Sequence, residues 1–148
     1  MIGGKTGHKG FHVREVPAQK FVDALAKHFE TAHVISAPEW ADLVKTGFLK
    51  QMPPNLQNWW YTRAASIARQ VYMNKFVSVA GLTFRYGTNE NPGSSPKHHE
   101  LASRKIVRTI LQQLEQAELV RTTKNSGRKI TAKGQKLLDQ VANEAAQQ

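Results

Sequence analysis

The sequence contains no cysteine, which excludes disulfide cross-links, thiolate metal sites and cysteine nucleophiles. Acidic residues are scarce: 11 Asp and Glu stand against 21 Lys and Arg, a formal net charge of +10 on 148 residues. So few and so scattered carboxylates argue against paired-carboxylate catalysis and oxygen-ligated metals. No apolar run approaches the roughly 18 residues that suggest a membrane span. The opening stretch MIGGKTGHKGFH carries bases without the apolar segment of a secretory signal, and Met-Ile-Gly does not fit N-myristoylation. The phosphate-cradling patterns GxxxxGKS/T and GxGxxG are missing, and GGKTGHKG has neither their spacing nor a preceding strand. His98 and His99 are adjacent, with no carboxylate or third histidine at ligand spacing, so polar or phosphate contacts are expected of them and no metal. Ser66 and Ser103 have no evident His or Asp partner in the sequence. The expectation is a chain that is not an enzyme and holds no cofactor.

What is abundant is positive charge, and its placement says more than its sum. Residues 1–14 carry Lys5, Lys9 and Arg14 with no acid. Between Asp42 and Glu90 lie 47 residues without an acid, among them Lys45, Lys50, Arg63, Arg69, Lys75 and Arg85. Between Glu118 and Asp139 a third acid-free block holds Arg121, Lys124, Arg128, Lys129, Lys133 and Lys136. Soluble surfaces normally intersperse both signs. Acid-free blocks favour a polyanion, and a phosphate backbone above all, as partner.

The content is 40% hydrophobic, with three Trp, three Tyr and six Phe, enough for one modest core. Residues 1–12 are expected to form a flexible, basic, Gly-rich tail, and 13–148 a single domain. A helix is expected from near Pro17, with Phe21, Leu25 and Phe29 inward at spacing four. A short helix should run from Pro38 to Gly47 with Trp40, Leu43 and Val44 on one side. Asn58 is a good N-cap for a helix through Tyr72, whose apolar arc is built around Trp60, Ala64, Ile67, Ala68 and Val71. The other arc holds Trp59, Thr62, Arg63, Ser66, Arg69 and Gln70, with no acid, and a guanidinium fork there matches phosphate oxygens. Trp59 reads equally as packing on the preceding PPNLQ loop or as a ring for base stacking.

FVSVAGLTFRYG at 76–87 alternates and predicts a hairpin turning near Ala80-Gly81, with Leu82, Phe84 and Tyr86 on one face. GTNENPGSSPKHH, which follows, is too rich in Gly, Pro and Ser for regular structure. A helix from Ala102 to Glu118 should bury Ile106, Val107, Ile110, Leu111 and Leu114 and present Arg104, Lys105 and Arg108 outward. Two β-prone runs flank Lys124-Asn125-Ser126-Gly127, a hairpin with a basic tip. Thr131 caps a last helix with Leu137, Leu138 and Val141 inward. The fold class expected is mainly α: a single winged-helix-like domain of about five helices with two small β-hairpins, the basic one being the wing.

Six segments in this order, VREVPAQKFVDALA (13–26), PEWADLVK (38–45), NWWYTRAASIARQVY (58–72), PKHHELAS (96–103), VRTILQQLE (107–115) and GRKITAKGQKLLDQVA (127–142), carry a resemblance. Across about residues 13–143 the chain resembles the small-subunit ribosomal protein nineteen of eukaryotes and archaea. The resemblance implies a helical winged-helix-like fold and a structural constituent of the small-subunit head, bound to rRNA beside neighbouring ribosomal proteins. In eukaryotic members it also implies a role in rRNA maturation, with cytoplasmic ribosomes as the destination and the nucleolus as the place of assembly. It carries RNA contact onto Arg63, Arg69, Arg108, Gly127 and Arg128. Charge and placement add Lys5, Lys9, Trp59, Lys97, His98, Arg104, Lys105, Lys124 and Lys129. The chain departs from the family at Arg108-Thr109, where two bases are common, and at Ser126-Gly127, where a Gly pair is common. The competing reading is a winged-helix DNA-binding regulator, but no long apolar seam for a dimer is visible, so neither a homo-oligomer nor a membrane partner is expected.

Overall fold

The computed structural model describes residues 12–43, 58–74, 76–90, 98–124 and 127–147. Among them five α-helices, α1 (Ala18–Thr31), α2 (Trp59–Met73), α3 (Val79–Arg85), α4 (Arg104–Gln116) and α5 (Ala132–Ala146), are joined by two antiparallel hairpins. The hairpins pair β1 (Thr88–Glu90) with β2 (His98–Glu100), and β3 (Val120–Thr123) with β4 (Gly127–Ile130). The architecture is mainly helical and winged-helix-like, with β3–β4 as the wing.

The core follows from helical spacing. α1 buries Phe21, Leu25, Ala26 and Phe29 and leaves Asp23, Lys27 and Glu30 in water. Pro17 sits at its N-cap position, one residue outside the expected first turn, and offers no side-chain acceptor. α2 buries Trp60, Ala64, Ala65, Ile67, Ala68 and Val71 and touches α1, α4, α5 and β4, so it is the axis of the domain. Its many alanines permit that close approach. Asn58 holds the N-cap position without a side-chain cap bond. The Trp60 indole, wholly buried, donates from Nε1 to Gln113 Oε1 at 2.9 Å, and Gln113 Nε2 donates to the Ser36 carbonyl at 2.7 Å. A large ring is thereby buried without an orphaned N–H. α4 buries Ile106, Val107, Ile110, Leu111 and Leu114 as its spacing predicts.

Two helices end on non-glycine residues in the left-handed region. His33 (φ 53°) follows α1, and the Val34 N–H donates to the Phe29 carbonyl. Glu118 (φ 66°) follows α4, and the Leu119 N–H donates to the Leu114 carbonyl. Both are six-to-one closures that satisfy carbonyls a helix end would otherwise leave bare. α5 begins on Thr131, whose Oγ1 accepts from the Gly134 N–H at 3.0 Å and donates to the Glu118 carbonyl at 2.7 Å. The wing's root is thus tied to the end of α4.

Three expectations are corrected. Residues 76–87 do not form a hairpin: Ser78 accepts from the Gly81 N–H and starts α3, which buries Leu82 and Thr83 while Phe84 faces outward. One hydroxyl cap and a contact with α4 outweigh a weak alternating pattern. The second hairpin lies in the segment read as irregular, where Thr88, Asn89 and Glu90 pair with Glu100, His99 and His98. The helix expected from Pro38 is one 3-10 turn, Glu39–Leu43; its continuation toward Gly47 lies outside the described residues.

Candidate nucleic-acid interface

The C-terminal end of α3 brings Arg85 and Tyr86 against the polar arc of α2, and this placement builds the site. Tyr86, at the end of α3, lies within 2.5 Å of Ser66 by their hydroxyls. The Arg63 guanidinium stacks over the Tyr86 ring, 4.4 Å from its centroid. Burial pushes the Tyr86 phenol up from its ordinary pKa, while the Ser66 hydrogen bond and the charges of Arg63, Arg85 and Arg69 pull it down. Three guanidinium groups therefore lie within electrostatic reach of one phenol. Burial also lowers the Arg63 pKa, with Tyr86 opposing, yet arginine remains a cation.

These arginines are poorly satisfied within the chain. Arg63 Nη1, Arg69 Nε and Arg128 Nε are buried and have no hydrogen-bond partner. Each such donor costs about 1–3 kcal/mol relative to a satisfied one. The ion pairs His12–Asp139 and Lys133–Glu118 do not reach this cluster. Arg85 is held differently: in the amide orientation that satisfies both residues, Gln70 Oε1 accepts from Arg85 Nε and Nη2 at 3.1 Å each.

The wing is joined to this cluster through its backbone. The Arg128 N–H donates to the Val77 carbonyl at 2.8 Å and the Val77 N–H to the Arg128 carbonyl at 2.9 Å. The junction needs Gly127, whose φ is +82° and where any Cβ would run into the Val77 carbonyl oxygen. Across the wing Arg121 stands directly opposite Lys129, a like-charge pair that disfavours the hairpin unless an anion screens it. Lys124 is exposed at the turn. On α4, Arg104, Lys105 and Arg108 are all exposed, with Lys105 Nζ lying 4.7 Å from the centroid of the Trp40 ring.

The structure thus leaves Arg63, Arg69 and Arg128 as incompletely bonded cations and presents Arg104, Lys105, Arg108 and Lys124 to solvent. Lys129 is half-buried on the wing, and Gly127 acts through its backbone. Trp59 is corrected: it is 7% exposed and packs edge-on against Trp60 at 5.4 Å, so it offers no face to a base. Lys5, Lys9 and Lys97 lie outside the described residues, as does the side chain of His98, whose backbone pairs with Glu90. Sequence reasoning missed Arg85 and Tyr86 as members of the cluster because it placed them in a hairpin. It also missed Arg121, whose signal is its register opposite Lys129.

The family model for ribosomal protein S19e matches residues 12–148, taking in every element of this cluster. The chain belongs to the ribosomal protein S19e family. It is 39% identical over 133 residues to the small ribosomal subunit protein eS19A of Schizosaccharomyces pombe, covering 90% of this chain and 92% of that protein. It is 38% identical over 135 residues to eS19 of Myxine glutinosa, covering 91% and 93%, and 41% identical over 130 residues to eS19 of Oryza sativa subsp. japonica, covering 88% and 89%. Among the described residues no helix is long and apolar enough to cross a membrane, and no three His, Asp or Glu residues gather to hold a metal ion.

Proposed function

We propose that this chain is a structural component of the small ribosomal subunit that binds rRNA with the cluster around Tyr86, the outer face of α4 and the wing. The observation that carries the reading is the set of buried, partnerless guanidinium nitrogens on Arg63, Arg69 and Arg128. Phosphate oxygens are the acceptors whose charge and geometry complete such groups. The names of its relatives, all small ribosomal subunit proteins, supply the kind of RNA. Contact is to phosphates and to RNA shape, since the deep, narrow major groove of an A-form duplex does not admit side chains for base readout.

The same reading places the protein in the subunit head beside other ribosomal proteins, bound in cytoplasmic ribosomes. In a eukaryotic cell it adds nucleolar assembly and a part in rRNA maturation. Arg63→Glu or Arg69→Glu should abolish co-sedimentation of the tagged full chain with small subunits while its far-ultraviolet circular dichroism stays unchanged. Normal co-sedimentation of either variant with mature subunits would overturn the proposal.

A further inference from the structure

Beside the arginine cluster lies a cavity of about 280 Å³ between the end of α2 and the face of α3. Its wall includes Phe76, which is 42% exposed although it is a large apolar ring. Val77 and Leu82, both buried, contribute the apolar floor, and Gly81 adds no side chain to fill the space. Asn74, Ser78, Gln70 and Arg85 supply the polar lining. Asn74 Nδ2 donates to the Gln70 carbonyl at 2.8 Å, which orients the amide and leaves its Oδ1 as an acceptor. Gln70 takes Nε and Nη2 of Arg85, which fixes the guanidinium plane and leaves Nη1 to donate.

We infer that this cavity receives one extruded nucleobase of a single-stranded RNA segment, stacked on Phe76 and hydrogen-bonded along its edge by Asn74 and Arg85. The inference rests on the phosphate-binding reading above and extends it to a base. Three features select this occupant. The volume falls just below the about 300–1,000 Å³ of small-molecule sites, the scale of one planar ring system. An exposed aromatic face beside amide and guanidinium groups is how proteins hold unstacked RNA bases. Arg85 belongs to both places, lining the cavity and acting on Tyr86 together with Arg63 and Arg69, so a base and neighbouring phosphates are served side by side.

The test measures fluorescence anisotropy of the full chain with two labelled probes: a mixed-sequence single-stranded RNA decamer, and the same backbone with abasic ribose at every position. The wild type should bind the base-bearing probe about tenfold more tightly, the contribution expected of one stacked base. Phe76→Ala should abolish that preference without changing affinity for the abasic probe, and Phe76→Trp should retain it. Equal binding of both probes by the wild type, or a preference that survives Phe76→Ala, would overturn the inference and leave the phosphate reading standing. Failure to bind either probe would overturn both.

Discussion

Two tyrosines near α2 mark two regions that treat charge in opposite ways. Tyr72 donates its hydroxyl to Asp139 at 2.7 Å, His12 Nδ1 lies 3.6 Å from the same carboxylate, and Arg14 Nη2 donates to the Met73 carbonyl at 3.2 Å. Around Tyr86 the neighbours are Ser66 and three guanidinium groups, and no acid forms an ion pair there among the described residues. The first region is bonded within the chain and holds the 3-10 turn at Val13–Glu15, α2 and α5 together. The second leaves donors buried and unsatisfied, a cost to the free protein that the proposed phosphate contacts would offset. In the proposed function the charge that stabilises the chain is separate from the charge that meets RNA.

The largest test removes what both regions stand on. Trp60→Ala deletes the largest fully buried side chain and strands the Gln113 amide, so it should cost about 3–5 kcal/mol. Urea denaturation would read this as a large drop in midpoint, with loss of subunit association following from unfolding. A paired experiment then separates the regions. Asp139→Ala should lower stability by about 1–2 kcal/mol by removing the Tyr72 acceptor, and should leave the co-sedimentation of the folded chain intact. Arg69→Met should do the reverse, leaving the denaturation midpoint unchanged or raised while weakening subunit association. Equal effects of both substitutions on stability and association would erase the distinction.

The smallest effect is in alkaline titration. Burial and the hydrogen bond to Asp139 push the Tyr72 phenol up to about 12. An unfolded tyrosine titrates near about 10, so the native state holds this proton more tightly. The Tyr72 contribution is fully present below about pH 10 and is lost as pH rises from about 10 to about 12. Tyr72→Phe should flatten the decline of stability over that window, and an identical decline would contradict the assignment.

How much of this was legible in the sequence depended on the length of each pattern. The stripes of α1, α4 and α5 repeat over more than two turns, and Phe21, Leu25 and Phe29 or Ile106, Ile110 and Leu114 go inward as their spacing says. The segment 76–87 is too short for periodicity to separate helix from strand, and Ser78 decides it by a cap bond that alternation does not register. Thr88–Glu90 and His98–Glu100 carry no alternating apolar residues to announce their backbone pairing. The ends at His33 and Glu118 lack the glycine that usually announces them. Arg63 and Arg69 were visible as an acid-free arc, but the Tyr86 ring under Arg63 was not, because it arrives with the end of α3. The same helix end brings Arg85 into the site.

In the proposed function Arg63, Arg69 and Arg128 each meet a phosphate. The direct measurement is the salt dependence of full-chain affinity for small-subunit rRNA, compared with the triple variant Arg63→Gln, Arg69→Gln and Arg128→Gln. With about 0.7–0.9 counterions released per phosphate contacted, the slope of log affinity against log salt should become shallower by about 2–3 in the triple variant. An unchanged slope would contradict the account.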